Sequence, residues 1–449
     1  MQPADPEEIR PPWSRSERTF PRTIVRPLQE FLQTSTAASF VLLSAIVVAL
    51  VWINSPWWES YERLWHTSLV LQVGDMTIGT DLHFWIQDGL MTFFFVLVGL
   101  EIKRELTVGE LQRPRAAALP ALAAIGGMVV PAVLYLAIAD GGATERGWGI
   151  PIATDIALAL GALALAARHA PSSLKPLLLT LAIVDDIGAI AVIAIFYSRG
   201  GQPEAIVAAL VVIGLVVVAQ RLHVRAAWVY VVLGAGLWFA CYKAGIHPTI
   251  AGVVMGLLTP VQPFQRPAAV SREAKRIADE TADEPDPIDA DAPAWLELAT
   301  LSREAISPLA RVEHLLLPWS SFLIVPVFAL SSAGVRLSPS TISAAFSSVV
   351  AIGVFVGLVF GKPIGVVGAS LLARWTRVGE TPEGVGTRAI VGLGATAGIG
   401  FTVGLFIAEL AFPDDAALLA EAKIGILFAS VVAAVLGYVV LRTSRVDEA

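Results

Sequence analysis

Apolar residues run in long blocks along this chain, and polar residues collect between them. A block of about 18 or more apolar residues is long enough to cross a bilayer as a helix. The pattern predicts spans near 35–54, 84–102, 117–139, 149–167, 174–197, 203–220, 225–241, 246–260, 315–335, 346–373, 386–411 and 417–441. That makes twelve, the eighth being short for a crossing helix. The fold expected is an all-α polytopic membrane protein, with a twelve-span domain over 35–441 between polar tails at 1–34 and 442–449.

Two connections break the pattern. Residues 68–80 are rich in β-formers around Gly74-Asp75, which reads as a short hairpin. A lone hairpin is marginal in water, and its open edge invites pairing with a second copy. Residues 261–312 form the longest polar connection. Its acidic, Pro-containing run at 279–291 reads as solvated loop.

Composition agrees with a membrane class. Of 449 residues, 55% are hydrophobic and 15% charged, against about a quarter charged in soluble domains. A net charge of -7 is no basic signature for nucleic acid. Cys241 is the sole cysteine, so neither an internal disulfide nor a cysteine metal cluster is expected. The N-terminal stretch lacks the apolar core and cleavage site of a signal peptide. With both termini placed in the cytoplasm, inside segments hold 24 Lys or Arg and outside segments 6, with Lys362 left within a span. Positive charge on the inside favours that orientation, which puts the hairpin outside and the acidic loop in the cytoplasm.

Four spans carry polar groups where the bilayer favours apolar ones. Asp185 and Asp186 are adjacent in the middle of the fifth span, where ionisable groups are costly and must be neutralised by a cation, protons or a basic partner. Neighbours on a helix point about 100° apart, so the two need not share a partner. Asp155 follows Pro151 and Thr154 in the fourth span. Proline removes a backbone donor, so a broken helix is expected there, with freed carbonyls and the Thr154 hydroxyl available to a cation; a plain helix-start Asp is the alternative. Lys362 lies in the tenth span, and charge balance suggests an acid on the Asp185–Asp186 helix as its partner. Alternatively, the span ends near 360 and Lys362 is interfacial. In the eleventh span, Gly392, Gly394, Gly398, Gly400 and Gly404 with Thr396 and Thr402 make a weak helix or a packing face. Interrupted spans in the two halves are the pattern of inverted repeats whose broken helices, here the fourth and eleventh spans, cross at mid-membrane.

The ordered set of segments around Phe95–Leu106, Ala124–Pro131, Gly147–Ala157, Ala182–Ala189, Gly245–Gly252, Phe328–Val335, Gly361–Gly365 and Gly398–Thr402 resembles the NhaA-type bacterial sodium/proton antiporters. The resemblance implies an inner-membrane antiporter that exchanges cytoplasmic Na⁺ or Li⁺ for external H⁺, electrogenic and pH-regulated, with no cofactor. It implies a sodium and proton site at Asp155, Asp186 and Thr154, with Asp185 against Lys362. It implies broken helices around Pro151, Gly398, Gly400 and Thr402. It puts Glu101, Lys103, Arg104, Glu105, Glu313 and His314 in a pH-sensing region, with His247 also implicated, and makes residues 68–80 a homodimer contact. Leu317 stands where the family commonly has a second histidine, which leaves the pH set-point open.

Other classes fit less well. An aspartyl intramembrane protease, a cation channel and a proton-coupled solute carrier of the same fold all use buried acids. The first lacks a visible cleavage motif, and the carrier lacks substrate-specific polar groups. An ATP-driven pump is disfavoured because no GxxxxGK[ST] motif is present.

Overall fold

The computed structural model describes residues 36–73, 76–166, 171, 173–198, 200–281, 292–379 and 384–443. The expected tail at 1–34, the Gly74–Asp75 turn, most of the acidic run and residues 444–449 lie outside the described residues. Helices account for nearly all the regular structure: α1 Ala37–Ile53, α2 Trp58–Trp65, α3 Leu82–Thr107, α4 Pro114–Ile138, α5 Ile156–Ala166 and α6 Leu174–Phe196 come first. Then follow α7 Pro203–Arg221, α8 Ala227–Lys243, α9 Thr249–Leu258, α10 Pro267–Thr281, α11 Ala292–Glu304 and α12 Pro308–Ser332. The last are α13 Pro339–Ser347, α14 Val349–Trp375, α15 Thr387–Ala397, α16 Phe401–Ala411 and α17 Ala416–Thr443. Among the described residues, seven helices are long and apolar enough to cross a membrane, or up to ten if each of three bent pairs is one span. The chain is thus a multi-pass helical membrane protein. Helices α8 and α9 are apolar but shorter.

The connection at 261–312 is in part helical on either side of the acidic run, most of which lies outside the described residues. It contains α10 and α11, which touch each other. Val270 and Ile277 of α10 are both buried. They stand seven residues apart, which puts them on one face of a helix. The acidic, Pro-containing run masked this amphipathic pattern. Between α2 and α3, two short strands, β1 Leu71–Val73 and β2 Met76–Ile78, pair antiparallel with Gln72 opposite Thr77.

Small residues set the spacing of the helices that hold the site. Helix α14 packs tightly on α4; a Cβ at Gly365 would run into the Gly126 carbonyl, so the two backbones touch there. The long helices α3, α12 and α14 each contain a π-turn, at Trp85–Leu90, Ser320–Ile324 and Gly357–Gly361. Such a turn inserts a residue and resets which face the next turn presents. The one in α14 ends immediately before Lys362, and the helix continues to Trp375, so Lys362 lies in its interior and is fully buried rather than interfacial.

Candidate functional site

Two bent pairs meet beside α6. A 3₁₀ helix, Thr144–Ile152, containing Pro151, is bent by 44° from α5. Helices α15 and α16 are bent by 45° at residues 398–400. After the break, the Asp155 carbonyl accepts the first helical bond of α5 from Ala159 N at 2.9 Å, while the Asp155 amide and the Thr154 hydroxyl find partners across the opposite break. The Asp155 amide donates to the Ile399 carbonyl at 2.6 Å. The Thr154 hydroxyl donates to the Ala397 carbonyl at 2.9 Å. A Cβ at Gly400 would stand 2.8 Å from the Ala153 carbonyl, and one at Gly398 would stand 2.5 Å from the Leu358 carbonyl. Glycine at both positions permits this approach.

Asp155 caps two helices with one carboxylate. One oxygen accepts from Leu158 N of its own helix at 3.0 Å, and the other accepts from Thr402 N, in the first turn of α16, at 3.0 Å. Anionic groups are stabilised at helix N-termini. The plain helix-start role is therefore present, doubled across the two breaks. Thr402 meets Asp155 through its backbone N–H.

The adjacent acids of α6 diverge. Asp185 and Lys362 are fully buried, and Lys362 Nζ donates to Asp185 Oδ2 at 2.6 Å. The same ammonium donates to the Ile152 carbonyl, freed by the first break. Asp185 also faces Thr154, and its second oxygen, Oδ1, has no hydrogen-bond partner. Asp186 lines a small cavity with Phe95 and Val403 and lies within electrostatic reach of Glu101 and Asp155. Carbonyls at the two breaks are taken by protein donors in this conformation: Ile152 by Lys362, Ala397 by Thr154, and Ile399 by Asp155.

The remaining sequence candidates separate into two places. Glu101 faces Arg104 and Glu313 near the C-terminal end of α3, and Arg104 pairs with Glu313 of α12. Buried Glu105 accepts from the Thr180 hydroxyl on α6 at 3.4 Å. Lys103 is half-buried and His314 exposed on the same side. His247 is apart from these, 3.9 Å from Asp88 near the start of α3. Glu101 and Asp88 are thirteen residues apart on that helix, or about 20 Å along its axis.

Sequence reasoning passed over Glu409, a buried acid inside the eleventh span, which meets His83 and Lys423. The cost of intramembrane acids that singled out Asp155 applies to it equally. The backbone partners of Asp155 and Lys362 left no signal in the sequence.

Fold and site together define a class: a multi-pass helical membrane protein with ionisable groups buried at paired helix breaks, the build of a secondary transporter. The chain matches the family model described as Na⁺/H⁺ antiporter 1 over residues 29–441, and it belongs to that family. It is 47% identical over 427 residues to a protein of Myxococcus xanthus named Na(+)/H(+) antiporter NhaA 2, covering 93% of this chain and 90% of that one. It is 44% identical over 439 residues to a protein of the same name from Sorangium cellulosum, covering 96% and 93%. It is 45% identical over 417 residues to the Na(+)/H(+) antiporter NhaA of a Janthinobacterium species, covering 91% of each.

Proposed function

We propose that this protein exchanges cytoplasmic Na⁺, or the smaller Li⁺, for external H⁺ as an inner-membrane secondary transporter, using Asp155, Asp186 and Thr154 as the ion site. The observation that carries the reading is the position of Asp155. Its carboxylate ties the two helix breaks together, and Asp186 lines the cavity beside them. A cation bound between these acids and a proton on either of them are alternatives, because a protonated carboxyl has lost the charge that attracts the ion. Competition for one site suffices to couple opposed fluxes. Whichever ligand occupies Asp155 also alters its bonds to both half-helices, so occupancy acts on the geometry of the breaks.

Two protons returned per sodium ion make the cycle electrogenic, and the membrane potential then adds about 2.3 kcal/mol per charge per 100 mV. Lys362 serves as the counter-charge of Asp185. Twelve spans follow if the bent pairs and the shorter helices α8 and α9 each cross once. The N- and C-termini are then cytoplasmic, the β-ribbon is external, and α4 to α6 correspond to α14 to α17 as inverted repeats with crossing breaks. Glu101, Lys103, Arg104, Glu105, Glu313 and His314 surround the cytoplasmic mouth and set its response to pH, while His247 acts from the other end.

The test is sodium-driven dissipation of a pH gradient in inverted membrane vesicles. Asp155→Asn and Asp186→Asn together are expected to abolish it. Exchange that survives both substitutions removes the site from this reading.

A further inference from the structure

A second group of ionisable side chains meets at the far end of α16. Glu409 lies seven residues past Thr402 on that helix, or about 10 Å along its axis. Its Oε1 accepts from Lys423 Nζ of α17 at 3.3 Å, and its Oε2 stands 3.4 Å from His83 Nε2 at the start of α3. Glu409 Oε2, the Ser332 hydroxyl and the Trp65 indole N–H all lack conventional hydrogen-bond partners. Ser332 of α12 lies beside the carboxylate, and Tyr61 of α2 is within its electrostatic reach. On its other side His83 faces Asp81, and its ring is 6.4 Å from that of His66. His66 in turn bonds Asp81 at 2.9 Å. Side-chain exposure falls along this series, from 68% at His66 to 22% at His83 and 5% at Glu409.

Lys423 alone supplies a counter-charge for a buried acid. His83 adds something different: a group that exchanges protons near neutral pH and reaches from the surface to that acid. On the inner side, Phe406, three residues before Glu409, packs against Phe95 and Phe328 at 5.2 and 6.1 Å. Val403, three residues further back, lines the cavity of Asp186 together with Phe95. An aromatic contact therefore separates the outer cluster from the cavity in this conformation.

We propose that His83 and Glu409 form a proton relay between the external medium and the chamber of Asp155 and Asp186, with Lys423 as the counter-charge of Glu409. This rests on the exchange and orientation proposed above. A proton from external water adds to one ring nitrogen of neutral His83, and the other ring nitrogen gives its proton to Glu409 Oε2. His83 is left neutral and Glu409 protonated. Glu409 returns to carboxylate by passing the proton inward when the Phe95–Phe406 contact opens.

The experiment follows Na⁺ uptake into inverted vesicles, whose lumen holds the external face, with luminal pH set by a trapped buffer. His83→Gln and Glu409→Gln are expected to match the unaltered protein at a luminal pH near 6, where protons are plentiful. By pH near 8.5 they are expected to fall behind it by on the order of tenfold, as proton transfer becomes limiting. Glu409→Asp retains a carboxyl and is expected to keep most of the rate, and the KM for Na⁺ on the cytoplasmic face is unchanged throughout. Superimposable pH profiles overturn the relay while leaving exchange intact; so does a uniform loss at every pH, which marks a structural tie. If Glu409→Gln fails to fold, the partly exposed His83→Gln decides. Absence of sodium-dependent proton movement in the unaltered protein takes down the proposed function and the relay together.

Discussion

Lys362 and Asp185 are both fully buried and 2.6 Å apart, so each is the other's condition for being there. Removing one partner of such a pair strands a charge, at about 3–5 kcal/mol, whereas removing both together is often close to neutral. Lys362→Met is therefore expected to lower the unfolding free energy in detergent by roughly that amount, and Asp185→Asn added to it to restore part of the loss. Recovery stays incomplete because Lys362 also serves the Ile152 carbonyl, and an unsatisfied buried acceptor costs about 1–3 kcal/mol. Strictly additive losses in denaturant titrations would argue against an energetic link. The reversal potential of exchange addresses a separate matter: an unchanged proton count after Lys362→Met assigns this lysine to the ion pair with Asp185 alone. At this scale the sequence was legible at Asp155, Asp185, Asp186 and Lys362, where charge was the signal. Lys362 and a pair of acids in apolar spans point at each other. Ile152, Ala397 and Ile399 take part through main-chain carbonyls, which every residue has, so composition and spacing carry no trace of them. Glu409 did carry the signal and was masked by the glycine-rich pattern around it.

At the scale of elements, the two breaks hold the site because their backbones touch. A Cβ on Gly400 would stand 2.8 Å from the Ala153 carbonyl, which neither half-helix can accommodate without moving apart. Gly400→Val is expected to stretch the 3.0 Å bond between Thr402 N and Asp155 and to reduce exchange by on the order of tenfold or more, since misplacement by about 1 Å costs that much in other preorganised sites. Gly404→Ala is the control: its Cβ would find its nearest neighbour, the Ile150 carbonyl, at 3.7 Å, an ordinary contact. The comparison is made on vesicles matched for protein content, and equal loss in both variants would point to helix propensity rather than contact at the break. Proline at 151 and the glycines at 398 and 400 made the breaks readable in sequence. The helices within 261–312 were not, because Val270 and Ile277 are too sparse a stripe to stand out beside an acidic run.

At the scale of the whole molecule, the described residues of the β-ribbon are largely left uncovered by the rest of the chain. Leu71 pairs with Ile78 and Gln72 with Thr77, and Leu69, Val70 and Leu71 are exposed. Two strands alone are marginally stable, and exposed strand edges seek partners. The base is anchored, since the Trp85 indole donates to the Leu69 carbonyl at 2.7 Å and Ser68 bridges Asp81. We propose that the open strand edges pair with those of a second copy of this chain. Replacing residues 71–78 with a short Gly-Ser link, which keeps that anchor, is therefore expected to shift the detergent-solubilised protein from dimer to monomer in light scattering. The partners described for Asp155, Asp186, Glu409 and His83 all come from the same chain, so exchange per chain is expected to persist in the monomer with a lower unfolding temperature. A dimer that survives the replacement places the interface elsewhere. A monomer that no longer exchanges means that the β-ribbon supports transport through the start of α3, where it is anchored beside His83.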